Sequence, residues 1–185
     1  MILIAGLGNP GKEYIDTRHN IGFLVIDNLL DYFGASCLKR KFKAKYCEIA
    51  FEDKKIIALK PQTFMNESGL SIASAKKFYG QELNRILIIH DDIDLPLGSM
   101  KFKRNGGTAG HNGLNSIKKH IKTDQFDRLR FGVGRPSGLK SAAGYVLKNF
   151  KKIEKKEVDI LLENSVQAIK DYIVSGIEFC MNKYN

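Results

Sequence analysis

Arg85-Ile86-Leu87-Ile88-Ile89-His90 is the stretch on which the fold turns. Its apolar residues run without a break, where a strand with one wet face would alternate. Such a run reads as a strand buried on both sides, and strands of that kind belong to parallel sheets covered by helices. Met1 to Leu7, which ends in glycines, has the same character. Phe23, Ile26, Leu30 and Phe33 recur at helical spacing and predict a helix that ends near Gly34. Tyr46 to Phe51 and Lys55 to Leu59 flank Glu52-Asp53-Lys54 and predict a hairpin. Further helices are expected over Ser68 to Tyr79, after Asn112, and through Leu162, Val166, Ile169 and Ile173, with a strand around Leu129 to Val133. Strands alternating with helices predict an α/β fold. The expected form is one domain over residues 1–185, a three-layer sandwich around a twisted, mixed, mostly parallel sheet. In open α/β sheets ligands gather at the carboxyl ends of strands. Asn9 and Asp91 each follow a strand, so both are expected on one rim.

The bulk properties fit this frame. A chain of 185 residues with 43% hydrophobic content can build one core without disulfides or a structural metal. Cys37, Cys47 and Cys180 are odd in number, widely spaced and form no CxxC pair, so reduced thiols in a cytoplasmic protein are expected. Met1 to Leu7 is too short to span a membrane and lacks the charged start of a signal peptide. Thirty Lys and Arg against twenty Asp and Glu leave a formal charge of +10, which favours a polyanionic partner, nucleic acid first. The distribution says more than the total. No acid lies between Leu95 and Thr123, a stretch that holds Lys101, Lys103, Arg104, Lys118, Lys119 and Lys122. A second basic run is Lys39, Arg40, Lys41, Lys43 and Lys45. Taken singly, either run reads equally well as a solvated face.

Five segments carry candidate chemistry. Gly6-Leu7-Gly8-Asn9-Pro10-Gly11 matches GxGxxG after a strand, but Pro10-Gly11 interrupts the path into a helix. Asp27, the nearest acid that could take a ribose, lies inside the helical pattern, so a turn needing glycine freedom is the stronger reading. Thr17-Arg18-His19-Asn20 precedes the Phe23 helix, and a helix start favours the neutral imidazole that a general base requires. His90-Asp91-Asp92-Ile93-Asp94 is the densest acidic cluster. It could bind a divalent metal, but no second cluster accompanies it. Asp91 could instead orient an imidazole, and Asp94 could cap the turn before Leu95-Pro96. Gly106 to Gly113 is a glycine-rich loop opening a helix, with Asn112 the expected N-cap. Lys101, Lys103 and Arg104 just before it favour a close approach by RNA or peptide. Lys60 to Gly69 leads into a helix, and Phe64 and Met65 there would ordinarily belong to the core. No GxSxG elbow is present and no cysteine falls in these motifs, so the nucleophile of a hydrolase would be water.

Together, Gly6 to Phe23, Lys60 to Gly69, His90 to Gly98, Lys101 to Ile117 and Arg128 to Pro136 resemble the bacterial-type peptidyl-tRNA hydrolases, in the family's order and over most of the chain. The resemblance implies hydrolysis of the ester between a peptide and the 3′ end of tRNA, which recycles tRNA from prematurely released peptidyl-tRNA. It implies that His19 is the base that activates water and that Asp91 holds it. Asn9 and Asn66 would bind main-chain groups of the peptide, and Asn112 would position substrate and the attacking water. Tyr14 and Phe64 would line the groove for the tRNA end, and Lys103 and Arg130 would clamp the 5′-phosphate. No metal, no cofactor, no membrane and a monomer are implied. A mobile cover is expected from the loop after Pro136 and the segment Lys140 to Lys148. Two other readings remain open: a non-catalytic RNA-binding protein on the same scaffold, as plant-organelle relatives acting in splicing illustrate, and a nicotinamide-dependent enzyme.

Overall fold

A computed structural model describes residues 1–35, 38–135 and 141–185. In chain order its elements are β1 (Ile2–Gly6), α1 (Ile21–Tyr32), β2 (Lys39–Lys41), β3 (Ala44–Phe51), β4 (Lys54–Pro61), α2 (Ser68–Tyr79), β5 (Arg85–Asp92), β6 (Met100–Arg104), α3 (Asn112–Ile121), β7 (Asp127–Gly132), α4 (Ala142–Val146) and α5 (Lys152–Tyr184). The seven strands form one sheet in the order β2-β3-β4-β1-β5-β7-β6. The central four, β4-β1-β5-β7, are mutually parallel, and only β3 and β6 run against the rest. The expected mixed, mostly parallel sheet is therefore present.

The unbroken apolar runs have the reason inferred for them. On β1, Ile2 and Ile4 pack on one side with Val25, Ile26 and Leu29 of α1 and Leu162, Ile169 and Ile173 of α5. Leu3 and Ala5 pack on the other side with Ile72 and Ala75 of α2 and Leu114 and Ile117 of α3. Every second residue thus serves a different core, and three layers result. The hairpin and α2 fall where the periodicity places them. α1 ends at Tyr32, and Gly34 follows with φ 62°, where Ala35 N donates to Leu30 O. The short strands β2 and β6 at the sheet edges were not foreseen. β5 also continues two residues beyond His90, so Asp91 lies within the strand rather than after it.

One close contact fixes how α1 sits. A Cβ on Gly22 would lie 2.4 Å from Leu7 N and 2.6 Å from Ile89 O, and one on Gly6 would lie 2.0 Å from Gly22 O. The backbone of α1 therefore rests directly on the carboxyl ends of β1 and β5, which side chains would forbid. The 3-10 turn Arg18–Asn20 leads straight into α1, so this contact brings His19 to the rim.

The edges and ends are tied by polar groups. α5 breaks at Gly176, whose φ is 81°. The Arg85 guanidinium donates to Tyr172 O at 2.8 Å and Ile173 O at 2.7 Å, satisfying carbonyls the break leaves without helical partners. At the β6 edge, Asn185 Oδ1 accepts from Phe102 N at 2.8 Å while its Nδ2 donates to Phe102 O at 2.9 Å.

Candidate active site

The carboxyl rim of the sheet opens into a cavity of about 840 Å³. Asn9, His19, Phe64, Asn66, Asp91, Lys103, Asn112 and Arg130 all line it, so eight residues singled out from sequence converge. Tyr14 does not belong to the lining; it ends the 3-10 turn Lys12–Tyr14, and its carbonyl accepts from Thr17 Oγ1. Of the expected cover, residues 136–140 lie outside the described ones. Ala142, Ala143, Val146 and Leu147 of the α4 region do line the cavity.

At the centre, His19 Nδ1 meets Asp91 Oδ1 at 2.8 Å, both groups buried. A carboxylate accepts, so Nδ1 carries the ring proton and Nε2 keeps its lone pair. Sequence reasoning missed the second partner of that oxygen. His111 Nε2 also lies 3.0 Å from Asp91 Oδ1. Its tautomer follows from the other nitrogen: Nδ1 accepts from Gly113 N at 3.1 Å and Leu114 N at 3.3 Å, so Nε2 carries the proton and donates to Asp91. His111, not Asn112, is thus the N-cap of α3. Asn112 is the first helical residue and is exposed, because the imidazole already fills the capping position. The signal available in sequence was a second histidine in the glycine-rich loop, directly before a helix on the same rim.

Burial alone would push the Asp91 carboxyl up, but the facing His111 and His19 imidazoles outweigh it and hold it well below the usual carboxylate range. His19, Asp91 and His111 are also the grouping among the described residues whose ligand atoms could surround a metal. The donor set does not suit one. A metal on His111 Nε2 would send the ring proton to Nδ1, where two backbone N–H groups already point. The arrangement favours two imidazoles donating to one carboxylate. Behind it His90 Nδ1 donates to Asp91 O at 2.7 Å, and burial, then the neighbouring His111, pull His90 down to about 3, so it stays neutral.

Asn9 is held from three directions. Its N donates to Asn20 Oδ1 at 2.8 Å, its carbonyl accepts from Asn20 Nδ2 at 2.9 Å, and its Oδ1 accepts from Met65 N at 2.7 Å. The remaining group, Nδ2, is a donor left for a ligand. Arg18 fixes the turn that carries His19. It is 2% exposed, with Tyr145 and Phe150 beside its guanidinium. That group donates to Lys148 O at 3.1 Å, Asn149 O at 2.7 Å and Glu154 Oε2 at 2.6 Å. The base is therefore braced against the junction of α4 and α5.

The basic flank lies on β6 and β7. Phe102, Leu129 and Phe131 face α5, so Lys101, Lys103, Arg128 and Arg130 share the opposite face, with Lys103 directly across from Arg128. Arg128 is consumed locally: its guanidinium donates to Gly106 O and to Gly107 O, and so pins the glycine-rich loop. Arg130 Nε binds Asp92 Oδ2 at 2.7 Å, leaving its two terminal nitrogens. Asp92 Oδ1 also accepts from Asp94 N, so Asp92 caps the turn expected of Asp94, which instead pairs with Arg135.

The family model for peptidyl-tRNA hydrolase matches residues 3–185. The chain belongs to the peptidyl-tRNA hydrolase family. A relative named peptidyl-tRNA hydrolase from Thermoanaerobacter sp. (strain X514) is 45% identical over 185 residues, covering 100% of both chains. One of the same name from Listeria welshimeri is 44% identical over 186 residues, again covering 100% of both. A crystal structure of peptidyl-tRNA hydrolase from Acinetobacter baumannii superposes with a TM-score of 0.91 at 36% identity, over 100% of this chain and 94% of that one. The resemblance drawn from five motifs is thus a family relationship over the full length of the fold.

Proposed function

We infer that this protein hydrolyses the ester joining a peptide to the 3′ end of tRNA. The observation that carries the reading is the His19–Asp91 pair, set in the cavity with Asn9, Asn66 and Asn112 in a chain of this family. His19 Nε2 takes a proton from water, and the hydroxide attacks the ester carbonyl carbon. Asp91 stabilises the imidazolium and keeps its tautomer. The tetrahedral intermediate collapses by breaking the bond to the ribose oxygen, which recovers the proton from His19. Asn112 positions the attacking water. Asn9 Nδ2 and Asn66 bind peptide main-chain groups, reading backbone without reading side chains. An unblocked aminoacyl group lacks the amide carbonyl that a donor such as Asn9 Nδ2 would hold, which accounts for rejecting it.

Lys103 and the free nitrogens of Arg130 clamp the 5′-phosphate, and Phe64, 56% exposed, offers a face for the terminal nucleotide. Tyr14 acts farther out, along the path of the tRNA end. The chain works as a single catalytic domain, a monomer in the cytoplasm, with α4 as the cover. Among the described residues no helix is long and apolar enough to cross a membrane.

The test compares N-acetyl-aminoacyl-tRNA with unblocked aminoacyl-tRNA in the presence of chelator, for the wild type and His19→Ala. Cleavage of the blocked substrate alone, lost in the variant, is the expected result. Salt-sensitive tRNA binding without cleavage would instead mark a non-catalytic RNA-binding protein.

A further inference from the structure

We propose that the basic edge formed by β2 and the start of β3 is a second phosphate-binding surface, which takes the backbone of the tRNA body beyond the acceptor end. This rests on peptidyl-tRNA being the substrate. Lys39, Arg40 and Lys41 make up all of β2, and each is exposed, as is Lys43 in the turn that follows. The register sets Arg40 directly opposite Lys45, and Lys45 directly opposite Lys60. Three cations thus stand in a row across neighbouring strands, an arrangement that weakens a sheet. Lys60 alone of the three is neutralised, by Asp27. On the other face Lys41 Nζ lies 3.3 Å from the centre of the Phe78 ring. Among the described residues none of Lys39, Arg40, Lys41, Lys43 and Lys45 has an ion-pair partner. Repulsion left standing in this way is relieved when a polyanion arrives.

The location selects RNA as that polyanion. Ala44 pairs with Pro61 at the carboxyl end of β4, and the chain runs from there to Phe64 and Asn66 in the cavity. Lys43 O accepts from Gln62 N at 2.8 Å and from Ser71 Oγ at 2.9 Å, which pins the basic turn to the cavity's own rim. β2 lies three strand spacings from β1, roughly 14 Å, on the side away from β6 and β7. The cavity is therefore flanked by cations on both sides. A tRNA with its 3′ end in the cavity and its 5′-phosphate on one flank still has duplex backbone for the other.

The test is the triple variant Lys39→Gln/Arg40→Gln/Lys41→Gln, assayed on full-length N-acetyl-aminoacyl-tRNA and on a short 3′-terminal oligonucleotide bearing the same acyl group. KM for the full tRNA should rise about tenfold, and the slope of log KM against log salt should fall by about 3. The short substrate should be cleaved at the wild-type rate and KM, and the melting temperature should hold or rise as the Arg40–Lys45 repulsion goes. An unchanged KM for full tRNA overturns the proposal, as does an equal loss on both substrates. Loss of binding to phosphatidylserine vesicles with tRNA kinetics intact would overturn it in favour of a lipid surface. Were the wild type to cleave neither substrate, the enzymatic reading would fail by itself. Retention of uncharged tRNA on a filter would still judge the surface, with equal retention by wild type and variant rejecting it.

Discussion

A single carboxylate oxygen, Oδ1 of Asp91, receives donors from two imidazoles whose roles differ. His111 is locked as a donor because the start of α3 occupies its other nitrogen, so it can only position and never take a proton at Nδ1 without breaking the cap. His19 has no such lock: its Nδ1 donates to Asp91 and its Nε2 keeps a lone pair. Asp91→Asn is expected to lower kcat by about 10²- to 10⁴-fold, since an amide can no longer select the tautomer of both rings. His111→Gln should lower kcat less, by about tenfold, with melting temperature reduced by the weaker cap. Steady-state kinetics of both variants, with KM read separately, would check the ranking, and a larger loss for His111→Gln would reverse the roles assigned.

His90 makes a pH prediction. Its folded value, about 3, lies below the ordinary 6.5, so the unfolded chain binds the extra proton between those limits. Stability therefore rises with pH through that window and is lost as pH falls from about 6.5 toward 3. Asp91 adds to the loss at the acidic end, because its depressed carboxyl stabilises the fold only while ionised. His90→Asn keeps a donor for Asp91 O without titrating. Denaturation midpoints between pH 7 and 4 should fall less steeply for this variant, by about one proton's worth of slope. Parallel curves would show that His90 is not the group responsible.

At the scale of elements, the base is placed by two fastenings in addition to its own contact with Asp91. One is the seat of α1 on β1 and β5. Gly22→Ala puts a methyl within 2.6 Å of backbone atoms that cannot retreat, and should destabilise by about 3 kcal/mol or more, read as a fall in melting temperature. The other is Arg18. Arg18→Met keeps the apolar stem but removes the guanidinium from Asn149 O, from Lys148 O, which keeps only Arg18 N, and from the Glu154 carboxylate, which keeps only Lys151 N, and should cost about 3–5 kcal/mol. A variant as stable as the wild type would show that the brace is dispensable.

Across the whole molecule, what the sequence made legible follows how local each cause is. β1, β5 and α2 are written in runs and periods of neighbouring residues, and so are the glycines of the first turn. The edge strands β2 and β6 are short and rich in lysine and arginine, and only their pairing partners make them strands. In the site, His19, Asp91 and the asparagines stood out by residue type beside turns. His111 and Arg18 did not, since a histidine cap and a buried arginine acquire their meaning from segments up to 136 residues away. The formal charge of +10 is a property of this scale too. Affinity for tRNA should fall steeply with ionic strength and barely depend on its sequence, which titrations of two unrelated tRNAs at several salt concentrations would check.

The amide of Asn185 closes the far margin of the sheet by occupying both backbone groups of Phe102. An uncapped β6 would present the ladder on which a second molecule could add a strand. Asn185→Ala should leave turnover intact while concentrated solutions begin to self-associate, an effect that light scattering would follow with time.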